Sequence, residues 1–357
     1  MIVWGGHGDF DLLGYYFNTG GRYDPSTDRW TATRTVNAPE GRYRHTAVWT
    51  GNEMIVWGGI LYSNGSTNTG GRYCAPFPGS QLGNISTRAF VQTGDNVVIG
   101  GFIVQGNQTK RVIIRAIGPE LGAPPYNIPN ALANPTLELH NGTGALIASN
   151  DDWRTTIIGG IIAGSQVLDI TNSGHAPCDG RESAIIADLA PGNYTAIVRG
   201  VNNTTGVGLV EVYDLSGDAS SILGNISTRS FVQTDDNVMI GGFIVQGAQP
   251  KRMIIRAIGP DLSAPPYNVP NALADPTLEL HNGTGALIAS NDNWQHTILG
   301  GIITRDQAQD IMNSGYAPGD PNDSTIIAEL LPGNYTAIVR GVNNTTGVAL
   351  VEVYNLD

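Results

Sequence analysis

The sequence predicts an all-β protein: a short repeated segment, then two tandem antiparallel β-sandwich domains of jelly-roll type. Three observations predict it. Apolar residues fall in short alternating or β-branched runs broken by Gly, Pro and Asn. Charged residues are sparse at 14% while Gly numbers 47, which suits turns and short strands better than long helices. A long block of sequence also occurs twice, the mark of a repeated structural unit.

The long repeat is exact in spacing. Leu82-Gly-Asn-Ile-Ser-Thr-Arg88 returns as Leu223-Gly-Asn-Ile-Ser-Thr-Arg229, and at the same offset Trp153 maps to Trp294 and Tyr213 to Tyr354. About 104 of the 134 aligned positions match, which points to a recent duplication. The mismatches cluster between 152 and 190, a segment predicted to hold surface loops and, over Ala163 to Asn172, a short helix. The predicted domains are therefore a leading segment at 1–77, a first sandwich at 78–215, a linker at 216–222 and a second sandwich at 223–357.

Within one copy, residues 89–106 give two apolar stretches around the turn signal Gly94-Asp95-Asn96. Lys110 to Ile117 is rich in β-branched residues and ends at Gly118-Pro119. Pro124, Pro125 and Pro129 impose an extended loop. Thr136-Leu-Glu-Leu-His140 alternates, and Asn141-Gly142 then turns the chain back into Ala145-Leu-Ile-Ala148. Ser183–Leu189, Tyr194–Arg199 and Val207–Tyr213 complete the set. Two packed antiparallel sheets bury such strands, which predicts a separate core for each copy. Glu138, Arg115, Arg199 and Glu211 interrupt apolar strands and are predicted on outward faces, as cross-strand ion pairs worth less than about 1 kcal/mol each.

The leading segment repeats too. Met1-Ile-Val-Trp-Gly-Gly returns as Met54-Ile-Val-Trp-Gly-Gly, and Gly20-Gly-Arg-Tyr23 as Gly70-Gly-Arg-Tyr73. Tyr23-Asp-Pro-Ser-Thr-Asp-Arg-Trp30 and Arg42-Tyr-Arg-His-Thr-Ala-Val-Trp49 lie between. These residues resemble the kelch family, whose β-propeller blades carry a Gly pair and spaced Tyr and Trp. The second copy departs from the pattern after Tyr73, where Cys74-Ala-Pro-Phe77 has neither Asp-Pro nor a following Trp. Fewer than two blades are present, short of the four or so that close a propeller.

The later motifs of each sandwich carry a second resemblance. Leu137-Glu-Leu-His-Asn-Gly-Thr-Gly-Ala-Leu-Ile-Ala-Ser-Asn-Asp151, then Leu189-Ala-Pro-Gly-Asn-Tyr-Thr-Ala-Ile-Val-Arg-Gly200, then Val210-Glu-Val-Tyr213 resemble the bacterial pre-peptidase C-terminal type of β-sandwich. That resemblance implies a binding or spacer module appended to exported proteins, in some members with calcium.

A net charge of −12 repels nucleic-acid phosphates and anionic lipid. No apolar run is long enough for a membrane-spanning helix, so neither nucleic acid nor membrane insertion is expected. Cys74 and Cys178 fall in different modules, and Gly319 stands at the position matching Cys178, so no disulfide framework is predicted. Met1-Ile-Val-Trp-Gly-Gly lacks the basic start and apolar stretch of a signal peptide and reads as a strand already inside a domain. The expectation is a fragment of an extracellular or cell-surface protein with its export signal upstream.

No nucleophile elbow, phosphate loop, paired metal histidines or Cys-x-x-Cys occurs, so no enzymatic activity is expected. The candidate metal residues are Asp151, Asp152, Asp179 and Glu182 in the first copy, with Asp292, Asp320 and Asp323 in the second. Such hard oxygens, two or three apart in a loop, suit calcium; the alternative is that they are turn formers. Trp153 and Trp294 are candidate ligand-binding residues, able to stack on a sugar if exposed or to plug the sandwich if buried. Tyr126 and Tyr267 lie in the Pro-rich loops. The Asn-x-Ser/Thr triplets at Asn84, Asn141, Asn193, Asn202, Asn203, Asn225, Asn282 and Asn334 serve either glycan attachment or turns.

The function expected from these features is a non-catalytic extracellular structural or adhesion array, with assembly at the cell surface or into a fibre as one form of it. Its partner would be an extracellular glycan or protein surface, or copies of itself through unpaired edge strands. A carbohydrate- or protein-binding appendage of a secreted hydrolase is the alternative. Part of a kelch-type oxidase is a third reading, disfavoured by the missing blades.

Overall fold

The computed structural model describes all residues except 1, 11–12, 25–28, 34, 36–37, 50–52, 63–64, 75–80, 217–220, 248 and 357. Strand outweighs helix by 52% to 9%, so the chain is all-β. It divides into two compact units, Met1–Phe77 and Pro78–Asp357. Among the described residues no helix is long and apolar enough to cross a membrane.

The first unit is built from short antiparallel ladders. Its strands are β1 (Ile2–Trp4), β2 (His7–Phe10), β3 (Leu13–Tyr16), β4 (Gly20–Asp24), β5 (Arg29–Ala32) and β6 (Arg42–Tyr43), followed by β7 (Thr46–Trp49), β8 (Glu53–Trp57), β9 (Ile60–Leu61), β10 (Gly65–Ser66) and β11 (Gly70–Cys74). The repeated motifs form equivalent pairs: β1 lies against β4 with Trp4 opposite Gly20, and β8 against β11 with Trp57 opposite Gly70. Glycine is required at both places. A Cβ at Gly20 would sit 2.2 Å from the Val3 carbonyl, and one at Gly70 2.1 Å from that of Val56. Trp4, Met54 and Val56 form a small core. Arg42 is buried and spans the unit, donating to the carbonyls of Glu40, Gly58 and Thr69. Trp30, Trp57, Tyr15 and Tyr62 remain exposed.

In the second unit the first copy contributes β12 (Gln81–Val91), β13 (Val98–Gly106), β14 (Lys110–Ile117), β15 (Pro135–Asn141), β16 (Leu146–Asn150), β17 (Ser183–Leu189), β18 (Gly192–Gly200) and β19 (Gly206–Asp214). The second contributes β20 (Ser221–Leu223), β21 (Asn225–Val232), β22 (Met239–Gln246), β23 (Lys251–Ile258), β24 (Pro276–Asn282), β25 (Leu287–Asn291), β26 (Ser324–Leu330), β27 (Gly333–Gly341) and β28 (Gly347–Asn355). Short helices α1 (Pro119–Gly122) and α2 (Val167–Asn172) recur as α3 (Pro260–Ser263) and α4 (Ala308–Asn313). The predicted helix over Ala163 to Asn172 is thus present but shorter.

Each copy is a two-sheet sandwich. Strands β17-β14-β19-β12 form one layer of the first copy and β16-β15-β18-β13 the other. The second copy repeats this as β26-β23-β28-β21 and β25-β24-β27-β22. The copies do not stand apart. Strand β12 pairs along its free side with β22, and β13 with β21. Both sheets therefore run through the joint, each eight strands across, with β20 following β21 along the same side of β13.

This corrects the expectation of two separate cores. One apolar cluster includes Leu82, Ile85, Phe102 and Val104 of the first copy with Leu223, Ile226, Phe243 and Val245 of the second. The physical reason is the edge strands: β12 and β13 would leave unpaired backbone groups along an open core, and pairing with the other copy satisfies both. The predicted linker at 216–222 is corrected in part. Ser221 and Ile222 belong to β20, which continues the joint by pairing with β13; residues 217–220 lie outside the described residues.

The joint has a pseudo-two-fold axis. Gly101 lies opposite Ser227, Gly100 opposite Thr228 and Ile99 opposite Arg229; Gly242, Gly241 and Ile240 face Ser86, Thr87 and Arg88 in the same way. Near the axis equivalent residues meet: Leu82 pairs with Leu223 and Phe90 with Phe231, and the Thr87 hydroxyl donates to that of Thr228 at 2.9 Å. Asn84 and Asn225 are buried here at 6% and 3% exposure, which leaves no room for a glycan at these two triplets.

A further layer covers the outside of β14, β17 and β19. Ile113, Trp153, Ile170, Ala184 and Ile186 form a second small core under α2, and Ile254, Trp294, Ile311 and Ile327 its equivalent. The ion pair of Arg115 with Glu211 lies beneath this cover, not on an open face as expected. Its side chains are 15% and 7% exposed, the Tyr213 hydroxyl donates to Glu211 at 2.7 Å, and Arg115 also donates to the His175 carbonyl. Arg256, Glu352 and Tyr354 repeat the arrangement. Burial, then the Glu211 carboxylate, holds the Tyr213 phenol above its ordinary range. Glu138 and Arg199 do lie at the surface, 4.0 Å apart. Cys178 is an exposed free thiol, and the Cys74 side chain lies outside the described residues.

Both Thr87 and Thr228 are fully buried, so each single change to Val strands a hydroxyl and should cost about 1–3 kcal/mol. The double change to Val removes both hydroxyls and should cost much less than the two single losses added together. Urea unfolding of the four proteins measures this coupling; strictly additive losses would refute the contact.

Candidate functional site

The candidate residues gather where β15, β16 and β17 meet the loops before and after α2. The frame is set by two buried polar side chains. Asn150 accepts from the Ala184 amide at 3.1 Å and donates to the Thr155 carbonyl at 3.1 Å, folding the loop after β16 back on β17. The Ser183 hydroxyl lies 2.7, 3.1 and 2.5 Å from the carbonyl oxygens of Pro135, Asn150 and Asp151. One hydroxyl proton cannot serve three acceptors, so this pocket is rich in lone pairs. Ser324 repeats it with Pro276, Asn291 and Asp292.

Trp153 is 6% exposed. Its amide donates to the Glu182 carbonyl at 2.7 Å and its indole N–H to the Asp179 carbonyl at 2.9 Å. Trp294 is equally buried and bonds Asp323 and Asp320 in the same way. These indoles plug the outer layer and offer no open face to a sugar. That corrects their candidacy as stacking residues; the sequence could not distinguish a plug from a platform. Tyr126 and Tyr267 stay 56% and 65% exposed.

The acidic residues divide by environment. Glu182 is fully buried, and its carboxylate accepts from the amides of Gly118, Glu120 and Asp179 at 3.2, 2.8 and 3.3 Å. It thereby caps the first turn of α1. Asp323 takes this place in the second copy with a side chain one methylene shorter. It accepts from the Gly259 amide at 2.7 Å, and its other oxygen is buried without a hydrogen bond. Both are turned toward the start of a helix, where Glu182 meets three amide donors and Asp323 one. Asp179 is held by Arg181, whose guanidinium and amide bring its carboxyl down to about 2. Asn322 replaces Arg181 in the second copy, so Asp320 has no such clamp.

Asp151, Asp152, Asp292 and Asp320 remain, and they have neighbours that sequence reasoning missed. The Oδ1 atoms of Asn134, Asp151 and Asp152 are buried without a hydrogen-bond partner, as are those of Asp275, Asp292 and Asn293 at the matching positions. Burial, then Asp152, raises the carboxyl of Asp151; burial, then Asp292 and Asp320, raises that of Asp275. Each trio holds two carboxylates and one amide, because Asn134 becomes Asp275 where Asp152 becomes Asn293. A signal for this was legible: the two substitutions offset each other in charge. Hard, uncompensated oxygens of this kind, with carbonyls nearby, fit a divalent cation such as calcium. Among the described residues no group of three His, Cys, Asp or Glu gathers in metal-binding geometry, so amide and carbonyl oxygens would have to complete any such shell.

Three of the six histidines have structural settings. His140 contacts the Gly144 carbonyl and Glu138 across its hairpin, as His281 does in the second copy. His175 stacks on Tyr213 at 4.3 Å, where Tyr316 stacks on Tyr354. Comparison of the sequence with models of known protein families and with curated proteins finds no match.

Burial first, then the Asp261 and Asp320 carboxylates, raise Asp323 to about 7, against the Gly259 amide that lowers it. The folded state therefore binds this proton more tightly than the unfolded state. Its contribution to stability is complete below about pH 4, the ordinary aspartate range, and is lost as the pH rises to about 7. Asp323→Asn keeps the group neutral, so its melting temperature relative to wild type should climb between pH 4 and pH 8. Thermal melts across that range test this, and a pH-independent difference would rule it out.

Proposed function

We propose that this chain is a non-catalytic structural or adhesion module of the bacterial cell exterior, working as a stiff element with two like ends. The observation that supports it is the joint. Two copies of one loop cluster sit at opposite edges of a single continuous sandwich rather than on independently tumbling beads. At about 4.8 Å between neighbouring strands, eight strands set these edges roughly 34 Å apart. A surface offering repeated sites could then engage both ends at once, and the second contact would form at high effective concentration. The leading segment is read as kelch-type blades and the sandwiches as pre-peptidase C-terminal-like modules, on the motif resemblances alone.

The exposed pair Tyr126 and Tyr267 favours a glycan as the surface engaged, since an open phenol ring on a firm loop stacks on sugars. This also suits the alternative of a binding appendage to a secreted hydrolase. Binding of the whole chain to immobilised cell-wall and plant polysaccharides tests both. Tyr126→Ala and Tyr267→Ala should each weaken retention, and together they should weaken it by more than the product of the single effects. Equal retention of all variants, or no retention on any polysaccharide, would dismiss the glycan reading.

Calcium is proposed at the two oxygen trios, as a clamp on the loops and not as a reagent. A ligand that binds only the folded state at about 100 times its Kd adds about 2.7 kcal/mol. Millimolar calcium should therefore raise the melting temperature of the wild type over a chelator control. The rise should shrink in Asp151→Ala and vanish in Asp151→Ala with Asp292→Ala. No shift in the wild type would exclude the clamp.

A further inference from the structure

The joint between the copies is built from nearly the same residues twice. Leu82–Val91 and Leu223–Val232 differ only at Ala89 and Ser230, and the facing strands Val98–Gln105 and Met239–Gln246 only at Val98 and Met239. Paired across a two-fold axis, such edges are self-complementary: what β12 and β13 present to the second copy, β21 and β22 present to the first. Leu82 against Leu223, Thr87 against Thr228 and Phe90 against Phe231 are each a residue meeting its own equivalent. From Leu82 and Leu223 onward the register is the same in both directions; before them the copies differ, with Gln81 opposite Gln246 where Ile222 lies opposite Gln105.

The outer edges are different. On β17 the Gln166 amide donates to the Ile186 carbonyl at 2.6 Å and accepts from the Ile186 amide at 3.1 Å, while Asn150 takes the Ala184 amide. Gln307 and Asn291 do the same for β26. On β16 the Ile147 carbonyl is occupied by the Ile161 amide. Side chains and loops thus fill the places where a foreign strand would add, the usual protection of a sheet edge.

We propose that the joint is the self-association surface of this protein, and that its partner is a second copy of the chain. A first repeat would pair with the first repeat of another chain, and a second with a second, through the contacts seen within one chain. Such exchange links chains into dimers or longer runs without a new interface. The short connection between the repeats holds them at an effective concentration of about millimolar. The closed chain therefore dominates in dilute solution, and exchanged species grow as chains crowd. This inference rests on the joint alone and stands whether or not the ends bind a surface.

A single cysteine distinguishes the two pairings. In full-length chain carrying Cys74→Ser and Cys178→Ser, Thr87→Cys faces Thr228 in the closed form but faces its own equivalent in an exchanged joint. After refolding from denaturant with an oxidant, Thr87→Cys and Thr228→Cys should each give disulfide-linked dimers whose fraction grows with protein concentration. The variant with both cysteines should cross-link within one chain when dilute. Intrachain cross-linking in the double variant with no interchain disulfide in either single variant would overturn the proposal. So would wild-type chain that refolds as monomer at every concentration, by light scattering. Concentration-dependent wild-type dimers that persist on dilution until denaturant is added would support it, because exchange requires the joint to open.

Discussion

The pairing of β12 and β13 with β22 and β21 is the contact on which the rest of the second unit depends. A sandwich half ends in strands whose backbone groups need partners and whose inner faces need cover. In this chain both needs are met at once by the other copy. Phe102 and Phe243, each 2% exposed, lie in the core that the two copies share. Gly101 lets the strands come close, since a Cβ there would lie 3.2 Å from the Ser227 carbonyl, while Gly100 makes room for Val210 of its own copy. At the outer edges amide side chains and a loop do the work that the second copy does at the joint. The same constraint, that no backbone amide or carbonyl stay unpaired, is satisfied by two different means along one sheet.

The outer layer depends on that frame. With the strands fixed, the segment between β16 and β17 can vary, and half of the differences between the copies fall there. Yet its anchors are kept: the buried indole, the Asn150 or Asn291 amide, the Ser183 or Ser324 hydroxyl, and a carboxylate at the start of the short helix. Where that carboxylate loses a methylene, from Glu182 to Asp323, it keeps one of three amide donors beside a carboxylate neighbour present in both copies, Glu120 or Asp261. Burial raises both carboxyls, and with the shorter reach and fewer amide donors Asp323 is carried to about 7.

Much of the frame was legible in the sequence. The Asn141-Gly142 turn between alternating residues marks the β15–β16 hairpin, and Asn141 Oδ1 accepts from the amides of Thr143 and Ala145 as such a turn demands. The β-branched run from Lys110 to Ile117 is a buried central strand. What escaped was partnership. Leu82 to Arg88 reads as a polar stretch, because Thr87 is buried against its equivalent and Asn84 lies inside the joint. Alternation tells which face of a strand is apolar but not which strand lies beside it. For the same reason Arg115 and Glu211 looked like surface charges: the cover over them comes from residues distant in sequence, Trp153, Ile170 and His175. Asn134 carries no signal in the sequence, and only its buried, unpartnered Oδ1 sets it apart.

The two-fold nature of the joint also limits how such a protein can grow. Each repeat has one inner edge, and pairing consumes both members of a couple. A third tandem repeat would find no vacant edge on the first two and would keep its own core open. Lengthening by duplication is therefore stable in steps of two.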